Sequence, residues 1–388
     1  MKEKRKKIYL DFAATTPVDP RVLEAMLPYF SEKFGNSASL HSFGQEAKKA
    51  LEESRAKLAQ ILNVKESEII FTSSATESNN LALKGVAFAN KDKGRHIIIS
   101  SIEHDCVLNS ARWLEKQGFE VTYLPVDKYG IVDLEKLKKS IRKDTLLVSV
   151  IHASNEIGTI EPIEEIGNIC KEKGVFFHTD AAQSFGKIEI DLSKINVDLL
   201  TASSHKIYGP KGAALLYKKE NVKIEPLLHG GGHEFGFRAS TVNVPAIVGF
   251  AKAAEICQKE MKEEKKRLEN LRDKLIKGVL EKIKGAHLTG HPTKRLPNNA
   301  SFWFERVEGE AILLELDSFG IAVSTGSACA SKSLEPSHVL LAIGLTPPQA
   351  HGSLRITLGR WTKEEEIDYL LQVLPKIIER LRKLSPFK

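Results

Sequence analysis

The sequence predicts an α/β protein, with a mostly parallel sheet joined by helical crossovers and then a smaller α+β domain. Three observations predict it. Short apolar runs at residues 69–71, 97–100, 121–126, 145–151, 175–178 and 199–202 alternate with amphipathic stretches, which is the pattern of a parallel sheet with right-handed crossovers. Chemically capable residues (Thr76, His104, Asn155, Asp180 and Lys206) fall at or just past the ends of those runs, where open α/β sheets bind ligands. After a long helical pattern at residues 244–280, strands and helices become shorter.

The chain has 388 residues, enough for two domains with substantial cores. Its 42% hydrophobic and 28% charged content is that of an ordinary globular protein. No apolar run approaches the roughly 18 residues that a bilayer span needs. The basic start MKEKRKK is not followed by the apolar core of a secretory signal, so a cytoplasmic protein is expected. The net charge of +7 is spread among glutamates on helical stretches and accompanies no nucleic-acid motif, so neither nucleic acid nor membrane is an expected partner. Cys106, Cys170, Cys257 and Cys329 lie far apart with no CxxC pair, which argues against a zinc site or a disulfide framework. The first three read as small buried hydrophobes; Cys329 stands in a loop.

In order, residues 7–10 form a short strand, 11–17 a polar loop and 20–30 a helix. Residues 35–44 form a Gly/Ser-rich loop containing Asn36, followed by an amphipathic helix at 45–62. The strand at 69–71 leads through hydroxyl residues 72–77 into a helix at 78–89. Free N–H groups, hydroxyls and a positive dipole end make that junction suit a phosphate. Helices at 106–117 and 163–173 cross between strands. The strand at 175–178 runs out to Asp180, and the loop around Lys206 passes Ser203, Ser204 and His205 to a turn at Gly209-Pro210. A lysine so placed can form a Schiff base with an aldehyde, and the upstream acid can keep a pyridine nitrogen protonated, as pyridoxal phosphate needs. A Gly-rich loop spans 230–241. The boundary falls in the long helix, giving a large domain of 16–258 and a small one of 1–15 and 259–388. The small domain carries strands at 299–304, 321–323 and 354–357, helices at 309–319, 336–343 and 363–384, and the Cys329 loop at 324–335.

The chain resembles the fold-type I pyridoxal-phosphate enzymes, and within them the cysteine desulfurases of the NifS/IscS family, over nearly its whole length. The matching segments include Ala75-Thr76-Glu77-Ser78-Asn79-Asn80, Glu103-His104, Asn155-Glu156-Ile157-Gly158 and Asp180-Ala181-Ala182-Gln183. Ser203-Ser204-His205-Lys206, Gly230-Gly231-Gly232, Gly326-Ser327-Ala328-Cys329 and Ser353-Leu354-Arg355 follow in the family's order. The resemblance implies a large domain with a mostly parallel seven-stranded sheet and a pyridoxal 5'-phosphate cofactor. Lys206 would carry the cofactor and move protons, Asp180 would pair with the pyridine nitrogen, and His104 would stack on the ring. Asn155 and Gln183 would bind the phenolic oxygen. Ala75, Thr76, Ser203 and His205 would bind the phosphate, with Thr241 reaching it from the other subunit of a homodimer. Arg355 would fork the substrate carboxylate, helped by Asn36 and Asn155. Cys329 would be the nucleophile that takes sulfur from L-cysteine, leaving alanine, and hands it to acceptor proteins such as an iron–sulfur scaffold or the tRNA-thiolation machinery. No resident metal is implied, beyond a transient iron–sulfur contact at Cys329.

The chain departs from the family pattern at His233, where Gln is usual, at Ser240, where Gly precedes the phosphate-contacting Thr, and at Ala153-Ser154. The cofactor residues alone also fit another pyridoxal-phosphate lyase or aminotransferase, such as a selenocysteine lyase. They also fit a docking platform for sulfur carriers without activity of its own, though retention of Lys206, Asp180 and Cys329 argues against that.

Overall fold

The computed structural model describes residues 7–326 and 335–384. The chain enters through β1 (Ile8–Tyr9), which pairs in parallel with the distant β11 (Ile321–Ala322). A seven-stranded sheet follows, in the spatial order β2 (Ile69–Thr72), β8 (Ala214–Lys218), β7 (Leu199–Ser203), β6 (Phe176–Asp180), β5 (Thr145–Ser149), β3 (His96–Ser100) and β4 (Glu120–Leu124). The strands from β7 to β4 are parallel, and β8 runs antiparallel to both of its neighbours. The seven-stranded, mostly parallel sheet expected from the sequence is therefore present.

Helices cover both faces, so central strands are buried on both sides and read as continuous apolar runs rather than alternating ones. In β3, β5 and β7 every residue is buried. Phe177, Phe250, Leu58 and Leu200 centre one core on this sheet. A second core forms around the three-stranded sheet of β12 (Ser353–Thr357), β10 (Asn299–Phe304) and β9 (Ala286–Leu288). Phe302, Phe304, Ile356 and Leu374 fill it.

One helix of 39 residues, Val244–Lys282, belongs to both. Its N-terminal half buries Phe250 in the first core, and its C-terminal half buries Leu275 in the second. Asn243 caps it by accepting from the Ala246 N–H at 3.2 Å. Among the described residues, no helix is long and apolar enough to cross a membrane.

Local differences from the sequence reading have physical causes. The helix after β2 begins at Ala75 rather than three residues later, because Ser74 Oγ accepts from the Glu77 N–H at 3.1 Å and caps it there. Helix Leu134–Ser140, absent from the sequence reading, is started by Asp133, whose carboxylate accepts from the N–H groups of Glu135 and Lys136. The first helical pattern splits into Pro20–Met26 and Pro28–Ser31 at a proline that has no N–H to continue the ladder.

Candidate active site

The carboxyl edge of the parallel strands gathers most of the predicted residues. Asp180 ends β6 and is 4% exposed. One of its oxygens accepts from Ala182 N–H at 2.9 Å and the other from Asn79 Nδ2 at 2.7 Å. Asn79 lies on the helix Ala75–Ala89, whose N-terminal turn carries Ala75 and the exposed Thr76.

His104 occupies the cap of the next helix, Asp105–Lys116. Its Nδ1 accepts from the Cys106 N–H at 3.2 Å, and burial lowers its basicity despite the nearby Asp180 charge. Its position at the sheet edge and its capping bond coexist. Cys106 has polar contacts that the sequence reading did not anticipate. It packs, partly buried, against the core beside this helix, and its Sγ also sits 3.1 Å from both Asn79 Nδ2 and His104 Nδ1. Burial, with the Asp180 charge adding, pushes its thiol up to about 12, so it is no thiolate at neutral pH.

Lys206 follows β7 in a short 3-10 turn, Ser204–Lys206. Its Nζ donates to the carbonyls of Ala13 at 2.5 Å and Ala14 at 2.8 Å. The N-terminal loop is thereby drawn over the sheet edge. His205 holds that loop too, through Thr15 Oγ1 at 3.1 Å and through its own carbonyl, which accepts from Thr16 Oγ1 at 3.0 Å. Burial first, then the Lys206 charge, lowers His205 to about 4. Gln183 Nε2 donates to the same Ala13 carbonyl at 2.9 Å.

Arg355, on β12, reaches across from the second core. Its guanidinium donates to the Asn155 carbonyl at 3.1 Å and to Asp11 Oδ1 at 3.0 Å, while its Nε has no partner. Asn155 is therefore close to Arg355. Asn36 and Thr241 are exposed. Cys329 lies outside the described residues. Among the described residues, no group of three or more His, Cys, Asp and Glu could hold a metal ion.

The cluster can be tested for its fit to a phosphorylated, carboxylate-bearing adduct. Among the described residues, Ser203 Oγ, three positions before the lysine, and Arg355 Nε, on the guanidinium that reaches Asn155 and Asp11, are buried and lack hydrogen-bond partners. A buried donor without a partner costs free energy that a bound anion offsets. A helix N-terminus adds dipole and N–H groups, and Asp180 adds a desolvated carboxylate suited to a protonated ring nitrogen. The residues present fit pyridoxal phosphate.

Comparison with known proteins agrees. The family model described as "Aminotransferase class-V" matches residues 8–370. "Cysteine desulfurase IscS 1" of Archaeoglobus fulgidus is 56% identical over 378 residues, covering 97% of this chain and 98% of that protein. The chain belongs to the class-V aminotransferase family, as a pyridoxal-phosphate-dependent cysteine desulfurase. A cysteine desulfurase of Methanosarcina thermophila is 55% identical, over 98% of this chain and 94% of its own length. Among solved structures, a "NIFS-LIKE PROTEIN" superposes with a TM-score of 0.92 at 43% identity, covering 97% of this chain and all of that one. "SspA in complex with cysteine" gives 0.79 at 38% identity, over 91% and 99% of the two chains.

The structure sets Asn79 against Asp180, Lys187 against Gln183 and Glu156 against Ser337, contacts to which the sequence reading assigned no role. Asn79 and Glu156 stood inside quoted motifs, but only the packing of helix against strand shows what they touch.

Proposed function

We propose that this desulfurase converts L-cysteine to L-alanine and leaves the sulfur as a persulfide on Cys329, for delivery to an acceptor protein. The observation that supports the reading is the convergence of three separate segments: Asp180 with Gln183 after β6, Lys206 after β7, and Arg355 reaching Asn155 and Asp11 from β12. Pyridoxal phosphate, when bound, draws electrons from the substrate's α-carbon and so loosens the bonds around it.

The protein's own residues do the rest. Asp180, held in place by Asn79 and the Ala182 N–H, would pair with the ring nitrogen. Ala75, Thr76, Ser203 and His205 offer N–H and hydroxyl groups to the phosphate, with Thr241 of a second subunit. Lys206 anchors the cofactor and moves the substrate's α-proton. His104 would stack on the ring, and Gln183 and Asn155 would donate to the phenolic oxygen. Arg355, with Asn155 and Asn36, orients the substrate carboxylate. The Cys329 thiolate forms the S–S bond to the substrate sulfur as the Cβ–S bond breaks. The electron pair left on carbon is protonated, and alanine leaves.

We place the protein in the cytoplasm as a homodimer. Leu23, Leu27, Phe30, Phe34, Leu40 and Phe43 are exposed large hydrophobics clustered in one segment, which supports burial against a second copy. We read the turn from large to small domain near residue 258 of the long helix, with 16–258 in the first and 1–15 with 259–388 in the second. An iron–sulfur scaffold or a tRNA-thiolation partner is the acceptor class that this chemistry serves.

The test is alanine release from L-cysteine with a reductant, by wild type and by Cys329→Ala. Loss in the variant supports the persulfide route. Equal release by both would remove Cys329 from the reaction. A cofactor-bearing wild type that releases none would overturn the substrate assignment.

A further inference from the structure

Lys187 lies one turn beyond Gln183 and, among the described residues, makes no ion pair with a carboxylate. Its Nζ donates to the Gln183 carbonyl at 2.9 Å and to Gln183 Oε1 at 3.2 Å. It lines a small cavity with Ile207, Tyr208, Cys257 and Glu264. Glu264, the acid of that cavity, is already engaged by Arg360 at 3.0 Å and by the Tyr208 hydroxyl at 3.2 Å. The other titratable groups lining the cavity are Cys257, with its thiol pushed up to about 12 by burial, and Lys265. Burial first, and then the charge of Lys206, lowers Lys187 to about 7. An amine in this place is a costly residue unless it does something for its neighbour.

What it does is visible in the hydrogen bonds. Gln183 Oε1 faces Lys187, and Gln183 Nε2 faces the Ala13 carbonyl at 2.9 Å. Lys206 Nζ donates to that same carbonyl at 2.5 Å. The amide thus has its oxygen on the Lys187 side and its nitrogen on the Lys206 side. A primary amide nitrogen carries two hydrogens, and Ala13 takes one. A flipped amide would set NH2 against the Lys187 amine and oxygen against the Ala13 oxygen.

We propose that Lys187 is a positioning residue of the cofactor site, which locks and polarises the Gln183 amide so that its second N–H is presented to the cofactor's phenolic oxygen. The inference rests on the reading of Lys206 as the cofactor lysine. It assigns Lys187 no contact with substrate. A phenolate that loses a polarised donor becomes more basic. Removal of a nearby amine acts in the same direction, since a cation disfavours protonation of the lysine-linked nitrogen. Both effects raise the pH at which the bound cofactor deprotonates.

The experiment is a pH titration of the absorbance of the lysine-bound cofactor in purified holoenzyme. Wild type, Lys187→Met and Lys187→Arg are compared, and cofactor affinity is measured on the apoproteins with pyridoxal phosphate. The expected result is a midpoint raised by roughly one pH unit in Lys187→Met, with cofactor affinity several-fold weaker, and both restored toward wild type in Lys187→Arg. A Lys187→Met midpoint indistinguishable from wild type overturns the inference, because a merely structural lysine would leave it there. If Lys187→Met is folded by circular dichroism but holds no cofactor, rescue by Lys187→Arg supports the proposal. Failure of rescue then assigns Lys187 to cavity filling and overturns it. Absence of the band in wild type saturated with cofactor would instead refute the role of Lys206.

Discussion

Glu156 Oε2 accepts the Ser337 hydroxyl at 2.5 Å, joining two residues 181 positions apart beside the small apolar cluster of Ile157, Val339 and Leu340. Glu156 is buried, and desolvation pushes its carboxyl up to about 7, with Ser337 and Arg355 opposing that rise. A carboxyl raised on folding binds its proton more tightly in the native state. The native form therefore loses stability as pH climbs from the unfolded value near 4.3 toward 7, and loses no more above that. Glu156→Gln removes this penalty. Urea unfolding at pH 5 and pH 8 should show the variant gaining on wild type by on the order of 2 kcal/mol between the two. An equal difference at both pH values would show that Glu156 is ionised throughout.

Asn79 is the side chain that fixes Asp180. Asn79→Ala removes the 2.7 Å bond to a desolvated carboxylate. A hydrogen bond to a charged group contributes about 1.5–3 kcal/mol, so pyridoxal-phosphate affinity of the apoprotein should fall by about tenfold or more. Unchanged affinity in equilibrium titration would mean that Asp180 needs no orientation from this helix.

Arg55 and Glu234 form a two-pronged pair at 2.9 and 2.8 Å, each side chain 3% exposed. Arg55 also donates to the Ile69 carbonyl at 2.6 Å, and Glu234 accepts from the Phe71 N–H at 2.8 Å. The pair ties the Gly-rich loop to the edge strand β2. Removing one partner strands the other in a dry site, a cost of about 3–5 kcal/mol. Arg55→Met alone should lower the unfolding midpoint more than Arg55→Met combined with Glu234→Gln. A double variant as damaged as the sum of the singles would exclude coupling between them.

Ser240 adopts a φ of +149°, a region that glycine enters freely and serine does not. The departure noted in the sequence is thus realised as backbone strain beside Thr241. Ser240→Gly should raise stability or leave it level, by up to about 1 kcal/mol, since relief of strain competes with greater freedom in the unfolded chain. A thermal midpoint that drops by several degrees would show that the Ser240 side chain makes a stabilising contact in the assembled protein.

The sheet was legible because its strands are buried on both faces, so apolar runs such as Ile97 to Ile99 announce themselves without alternation. The site was legible where a residue type is rare at a strand end, as with Asp180 and Lys206. The polar contacts of Cys106 were not, because it packs with Val107 and Leu108 against the core and only the fold sets its thiol beside Asn79 and His104. Lys187 was not, because one more lysine in a lysine-rich chain carries no signal until its amine is seen against Gln183. Strand β9 was missed because its three residues are all half-exposed and leave no pattern.

The long helix has a mechanical consequence. Between its two buried halves, residues 258–267 contain no fully buried position. Here the helix is braced by charge: Glu260 receives Arg21, Glu264 receives Arg360, and Arg267 donates to the Thr362 carbonyl. At about 1.5 Å per residue the whole rod measures roughly 58 Å, with no slack linker along it. A shift of one end of this helix against the other would have to flex the strut itself. Its bracing is ionic where the cores are greasy, so added salt softens the joint while leaving the bodies on either side firm.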